Sequence, residues 1–551
     1  MRKKRILFCT ESTFLHTGYA TYSREILNYL HSTGKYEIAE LGAYGTNDDP
    51  RATETPWKYY GVIPNTNDQE RINKYKANAT AQFGGFAFEN TCLNFKPDIV
   101  CDIRDFWMID FIDKSPYRKF FKWVLMPTVD AYPQAREWID TFSRTDVCLS
   151  YSDWSGDVLN EQSGGKINYI GSAPPSAHPE YKPKNKEELK VKYGIDKNTK
   201  IIGTVMRNQR RKLYPDLFKA YSKFLESVED PEKHMLYCHT CFPDAGWNIP
   251  ELLHENNIVS KVLFTYVCAD TLKPFVSTFK GSVTTSPYTG KYNARMASVK
   301  QGLGYEELSE IMNMFDLYVQ YANSEGFGLP QVEAAACGVP VASIKYSAME
   351  SVIKQLDGFA VNPKALYKEM ETGCERAVPD NEHACQIFLE FFNKTTSERE
   401  KASKDIRNNF LKEFTWEKSG AKWEEAFDSL EIIPEQETWL SAPDIKKPVE
   451  FQEEIKQQPL DVIAKWLVAE VLHQPEKINS FFYADLLESL NYGYRTSQII
   501  GSYFNEDDSA VSMGRKIEHN KVTIESAYEE CKEKRKIINI WEQVRREKFK
   551  L

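Results

Sequence analysis

Residues 323–340, NSEGFGLPQVEAAACGVP, restrict this chain more than any other stretch. The apolar run at 317–321 that leads into them reads as a buried strand. A glycine turn follows, Glu325-Gly326-Phe327-Gly328. Pro330 stands where a first helical residue belongs, because the N–H it lacks would have no partner inside a helix. Val332 and the alanines carry the helix, and Gly338 stops it. Strand, glycine turn and helix N-terminus bring free N–H groups and the positive end of the helix dipole to one point, which suits an anionic oxygen. Glu325 and Glu333 frame that point, with seven residues between them. A carboxylate beside an anion site repels the anion, so it needs another partner. Hydroxyl groups that donate to it supply one.

A chain of 551 residues exceeds a single hydrophobic core and implies several domains. With 42% hydrophobic and 27% charged residues it reads as soluble and globular. A net charge of −9 argues against nonspecific coating of nucleic acid, while a local basic groove stays compatible with it. No apolar run approaches the ~18 residues that span a bilayer. The apolar part of the N-terminus is residues 6–9, too short for a signal peptide. The 11 scattered cysteines read as reduced thiols, and the expected location is the cytoplasm. Cys238 and Cys241 have metal-ligand spacing, but a closed zinc site needs four ligands and no second pair follows, so no metal is assigned.

Strands expected at 5–10, 36–42, 98–103, 122–126, 146–150 and 166–171 alternate with helical patterns, which predicts a parallel sheet. Ligands of such sheets sit beyond the carboxyl ends of the strands. His16, Arg104, Asp105 and Asp130 therefore point toward one cleft. Residues 46–90 give no clear pattern. The proline-rich run at 172–179 reads as a linker. A second alternating unit follows, with strands expected at 200–205, 235–239, 261–267, 317–321 and 339–344. Arg207 and Lys212 lie just after the first of these, five apart. Residues 269–304 form a long connection that reads as an inserted hairpin or lid. Residues 432–453 read as a charged linker. Helices are expected at 461–472, 481–490 and 521–551, the last ending in Arg545, Arg546, Lys548 and Lys550.

Glu325, Gly326, Phe327, Gly328, Leu329, Pro330, Glu333, Ala334, Ala336, Cys337, Gly338, Pro340 and Val341 match the Glu-x7-Glu donor-site signature of glycosyltransferase family 4. The chain resembles that family of retaining enzymes over residues 5–430. The resemblance implies an α/β GT-B fold: two facing Rossmann-like domains with parallel sheets, joined here by a mainly helical C-terminal extension. The implied boundaries are 1–175 for the acceptor domain, 195–400 for the nucleotide-sugar domain, 401–435 for closing helices and 455–551 for the extension. The implied donor is a nucleotide-sugar, a UDP-sugar foremost, with no metal or other cofactor. Donor binding falls to Gly18, Arg207, Lys212, Glu325, Gly326, Phe327, Gly328, Leu329 and Glu333. Glu333 takes the ribose diol, Glu325 a sugar hydroxyl, and Arg207 with Lys212 the diphosphate.

The catalytic set is Arg207, Lys212, Glu325 and Asp130. The acceptor side is His16, Arg104, Asp105 and Asp130. Family members often carry a histidine where this chain reads Thr128-Val129-Asp130, so Asp130 either positions an acceptor hydroxyl or caps a turn. Residues 205–214 and 317–337 also resemble a branch of the family found in large tailed phages. That makes a hydroxymethylated base in phage DNA an acceptor candidate, with host cytoplasm as the location, alongside a glycan or protein acceptor. The basic aromatic run at 117–123 is either a DNA contact or core. The extension is either an acceptor-binding or a homo-oligomerisation module. An epimerase, a phosphorylase and a non-catalytic sugar-nucleotide-binding module are the rival readings.

Overall fold

The computed structural model describes residues 2–15, 17–64, 69–298 and 302–441, with positions 464, 465 and 487 beyond them. Both sheets lie in one compact unit, residues 1–442. The helices expected at 461–472, 481–490 and 521–551 fall in a second unit and, apart from positions 464, 465 and 487, lie outside the described residues.

The first sheet takes its strands from short apolar runs. They are β1 (Lys4–Glu11), β2 (Tyr36–Thr46), β3 (Lys58–Ile63), β4 (Ile99–Asp102), β5 (Lys122–Leu125), β6 (Val147–Ser150) and β7 (Tyr169–Ser172). Their order is β3-β2-β1-β4-β5-β6-β7, and every pairing is parallel. Central strands such as β4 are buried along their whole length, as a sheet covered on both faces requires. The order reverses between β1 and β4, so a crevice opens at the carboxyl ends of those two strands. The helix Gly18–Ser32 starts there, its N-terminus capped by Thr17, whose hydroxyl accepts from the Ala20 N–H. Ile26, Leu27 and Leu30 bury the inner face of that helix.

The second sheet is built on β8 (Lys200–Val205), β9 (His234–His239), β10 (Val262–Cys268), β14 (Leu317–Gln320), β15 (Val341–Ile344) and β16 (Phe359–Val361), again parallel. Here the order reverses between β8 and β14. The crevice at their carboxyl ends holds residues 206–212 on one side and 321–328 on the other. Main-chain bonds zip these loops together: the Asn323 N–H donates to the Arg211 carbonyl and the Leu213 N–H to that of Tyr321, both at 2.9 Å. Residues 274–296 extend the β10 edge with antiparallel β11 (Pro274–Thr278), β12 (Val283–Thr284) and β13 (Ala294–Met296). A separate hairpin, β17 (Pro363–Lys368) with β18 (Glu375–Pro379), stands outside both sheets.

The helix Trp416–Asp428 returns the chain to the first sheet. Trp423 is fully buried against Phe8, with ring centroids 5.3 Å apart. Its indole N–H donates to the Tyr22 hydroxyl at 2.8 Å, and that hydroxyl donates to the Ala173 carbonyl at 2.8 Å. Trp439, further on, buries itself against Tyr117 and Phe120 and donates to the Pro97 carbonyl. The run at 117–123 is thus core: Tyr117, Phe120, Phe121 and Trp123 are buried, and Arg118 and Lys122 pair with Asp146.

Candidate active site

The two crevices face each other across a cavity of about 400 Å³. Gly18, Tyr19 and Thr128 line it from the first sheet, and Arg211, Lys212 and residues 325–330 from the second. The walls approach closely. A Cβ placed on Gly326 would stand 2.6 Å from the Thr128 methyl, so any larger residue there forces Thr128 to shift.

β14 delivers the loop, and Gly328 turns it into the helix Leu329–Ala336 at φ +85°, a left-handed conformation that glycine adopts freely. No side chain caps this helix end. Arg407 donates to the Ala336 carbonyl at the other end, a placement that favours the dipole. Glu325 is buried and held on several sides. Its carboxylate accepts from the Lys212 ammonium, from Gln320 at 3.0 Å, and faces the Arg211 guanidinium at 3.5 Å. Its main-chain N–H donates to the Ser347 hydroxyl at 2.9 Å. Ser347 itself sits at φ +56°, ψ −154°, a strained geometry for a side-chain-bearing residue. Burial and the neighbouring Arg211 press the Lys212 pKa well below its usual range. The contact with Glu325 acts in the opposite sense.

Glu333 opens into an adjoining cavity of about 550 Å³, which shares Gly18 and Leu329 with the first. Burial pushes its carboxyl up to about 7, while a hydrogen bond from Tyr181 draws it down. Behind Tyr19 and Thr128, which line the first cavity, burial raises Asp105 to about 6, against hydrogen bonds from those two residues that lower it.

The structure brings together Gly18, Lys212, Glu325, Gly326, Phe327, Gly328 and Leu329 around one cavity, with Glu333 next door. The Phe327 ring is turned inward, buried beside Phe414 at 6.0 Å. Arg207 does not line the cavity. It forms a bidentate pair with Asp244, both contacts 2.9 Å, and is half-exposed. Arg211 takes the expected place beside Lys212. The expectation that Arg104 faces the cleft is corrected: it is fully buried, paired with Asp102 at 2.5 Å and donating to the Phe83 carbonyl. A buried guanidinium needs such partners, and Asp102 supplies them two residues away. His16 lies outside the described residues. Asp130 meets Arg376 at 2.8 Å, a residue the sequence reading did not single out. Arg211 was visible as one member of a basic run, but the five-residue spacing favoured Arg207. Arg376 gave no signal, since it lies 52 residues beyond Ser324, which it also contacts.

Comparison with known proteins adds to this geometry. Residues 291–387 match the family described as glycosyl transferases group 1. No match is found among curated protein sequences. Among solved structures, the chain is similar to a sucrose-phosphate synthase from Thermosynechococcus elongatus, at 14% identity and a TM-score of 0.57 over 78% of this chain and 98% of the other. It is similar to a glycosyltransferase from Rickettsia africae, at 15% identity and a TM-score of 0.53 over 78% and 98%. It is also similar to an Anabaena protein in complex with UDP and glucose, at 12% identity and a TM-score of 0.52 over 78% and 100%. Residues 291–387 thus carry a glycosyl transferases group 1 domain, and the chain shares the GT-B framework of these structures.

Proposed function

We propose that the protein transfers a sugar, with retention at the anomeric carbon, from a nucleoside diphosphate sugar to an acceptor hydroxyl. A UDP-sugar is the foremost donor, in keeping with the UDP and glucose bound by the Anabaena neighbour. The observation that carries the reading is the Lys212–Glu325 pair at an uncapped helix N-terminus, facing Gly18 across the cavity. A cation and helix-end N–H groups suit the diphosphate. Glu325 suits a sugar hydroxyl, and Glu333 the ribose diol of the nucleoside in the adjoining cavity.

In this scheme the bond between the anomeric carbon and the diphosphate oxygen breaks as the acceptor oxygen bonds to the same carbon. The acceptor proton passes to the departing diphosphate. Negative charge grows on that group, and Lys212 with Arg211 stabilises it. Arg207 can join them on exchanging Asp244 for the diphosphate. Asp105 and Asp130 form the acceptor wall, where each carboxylate can take a hydroxyl proton donor. The run at 117–123 no longer speaks for DNA. A hydroxymethylated base and a glycan hydroxyl are therefore separated by assay, with hydroxymethylated duplex and oligosaccharide as alternative acceptors. The donor reading is tested by thermal shift with UDP-, GDP-, ADP- and CMP-sugars. A UDP-sugar is expected to raise Tm, and no stabilisation by any of the four sinks the reading.

A further inference from the structure

We propose that Arg376 is a positioning residue for transfer, tying the donor loop at Ser324 to Asp130 on the facing wall so that the acceptor-side carboxylate is set against Glu325. The inference rests on the reading of this cleft as a transfer site. β18 carries Arg376 into the cleft from a hairpin that belongs to neither sheet. Main-chain bonds fix the strand to both walls. The Ala377 N–H donates to the Asn323 carbonyl at 2.9 Å, and the Glu375 N–H donates to the Tyr132 carbonyl at 2.8 Å.

Between these anchors the guanidinium has a partner on each side. Nη1 donates to Asp130 Oδ2 at 2.8 Å and to the Ser324 hydroxyl at 2.5 Å. Nε and Nη2 donate to Glu369 Oε2 at 3.2 and 2.9 Å. The Arg376 side chain is 9% exposed and that of Asp130 33%. A planar fork reaches Asp130, Ser324 and Glu369 at once, which a lysine ammonium on its flexible stem does not reproduce. Asp130 Oδ1 receives no hydrogen bond from a described residue, so it is free to accept from an acceptor hydroxyl while Oδ2 is held. Ser324 immediately precedes Glu325, so a shift of Arg376 reaches both walls at once.

The test uses the full chain as wild type, Arg376→Ala, Arg376→Lys, Asp130→Asn and the Arg376→Ala/Asp130→Asn double variant. Hydrogen exchange is read at 128–133 and 323–328, UDP affinity by calorimetry, and UDP release from UDP-glucose in single turnover. Arg376→Ala is expected to speed exchange in both segments roughly tenfold, as loss of a shared tether allows. UDP affinity should stay within about twofold while UDP release slows roughly tenfold or more, as expected for a group that acts beyond ground-state binding. Arg376→Lys should restore Tm without restoring the rate. The double variant should be no slower than Arg376→Ala, because the two residues act as one unit. Exchange changes confined to 363–379, or an unchanged rate of UDP release, overturn the proposal. If the wild type releases no UDP, the transfer reading fails on that ground, and the exchange arm alone decides whether Arg376 couples the walls.

Discussion

In the proposed reading, Glu333 is a buried carboxyl group that serves donor binding and disturbs stability at once. Its pKa of about 7 lies above its ordinary value of 4.5 because burial disfavours the charge. A raised folded-state pKa means that the contribution to stability is full below about pH 4.5 and is lost as pH rises through about 7. Glu333→Gln should remove that loss. The variant's Tm is expected to gain on the wild type between pH 5 and 8, by the equivalent of up to about 3 kcal/mol. Parallel Tm curves for the two proteins contradict this. Toward ligand the same residue acts differently. Glu333→Ala forfeits hydrogen bonds to a charged group, worth ~1.5–3 kcal/mol, so UDP affinity should fall roughly ten- to hundredfold by calorimetry.

At the scale of elements, the glycine turn before the helix Leu329–Ala336 governs where the donor loop lies. Gly328→Ala places a side chain at φ +85° and a Cβ 2.6 Å from the buried Gln331 amide. The variant should lose ~1–3 kcal/mol of stability and more than roughly tenfold in UDP affinity. An unchanged affinity means that the turn does not set the site. This turn was legible in the sequence because its constraint is local: a left-handed glycine, a proline at the helix start and a buried strand each leave a mark on adjacent residues. The central strands were legible for a similar reason, as β4 and β14 are buried on both faces and read as continuous apolar runs. β17 was not legible, because five of its six residues are exposed and carry no burial pattern. Arg104 was misplaced because strand-end position fixes the backbone, whereas Asp102 decides where the side chain goes. Arg376 and Arg211 needed the folded chain, since their partners are distant in sequence or compete with an equally spaced neighbour.

At the scale of the whole molecule, the cleft depends on how the chain closes back on its first sheet. Trp423 is buried between Phe8 and Phe427 and bonded to Tyr22. Trp423→Ala should cost ~3–5 kcal/mol and lower Tm measurably in a thermal scan; a Tm unchanged from wild type means that the returning helix adds little to the unit. The central claim, however, is that the cavity between the two sheets turns over a nucleoside diphosphate sugar through charge placed at Lys212. Single-turnover kinetics at saturating UDP-sugar, with circular dichroism to confirm the fold, test it most directly. Lys212→Ala is expected to lose on the order of 10²–10³ in rate, the usual effect of removing one preorganised charge partner. A Lys212→Ala protein that is folded and keeps the wild-type single-turnover rate contradicts the account.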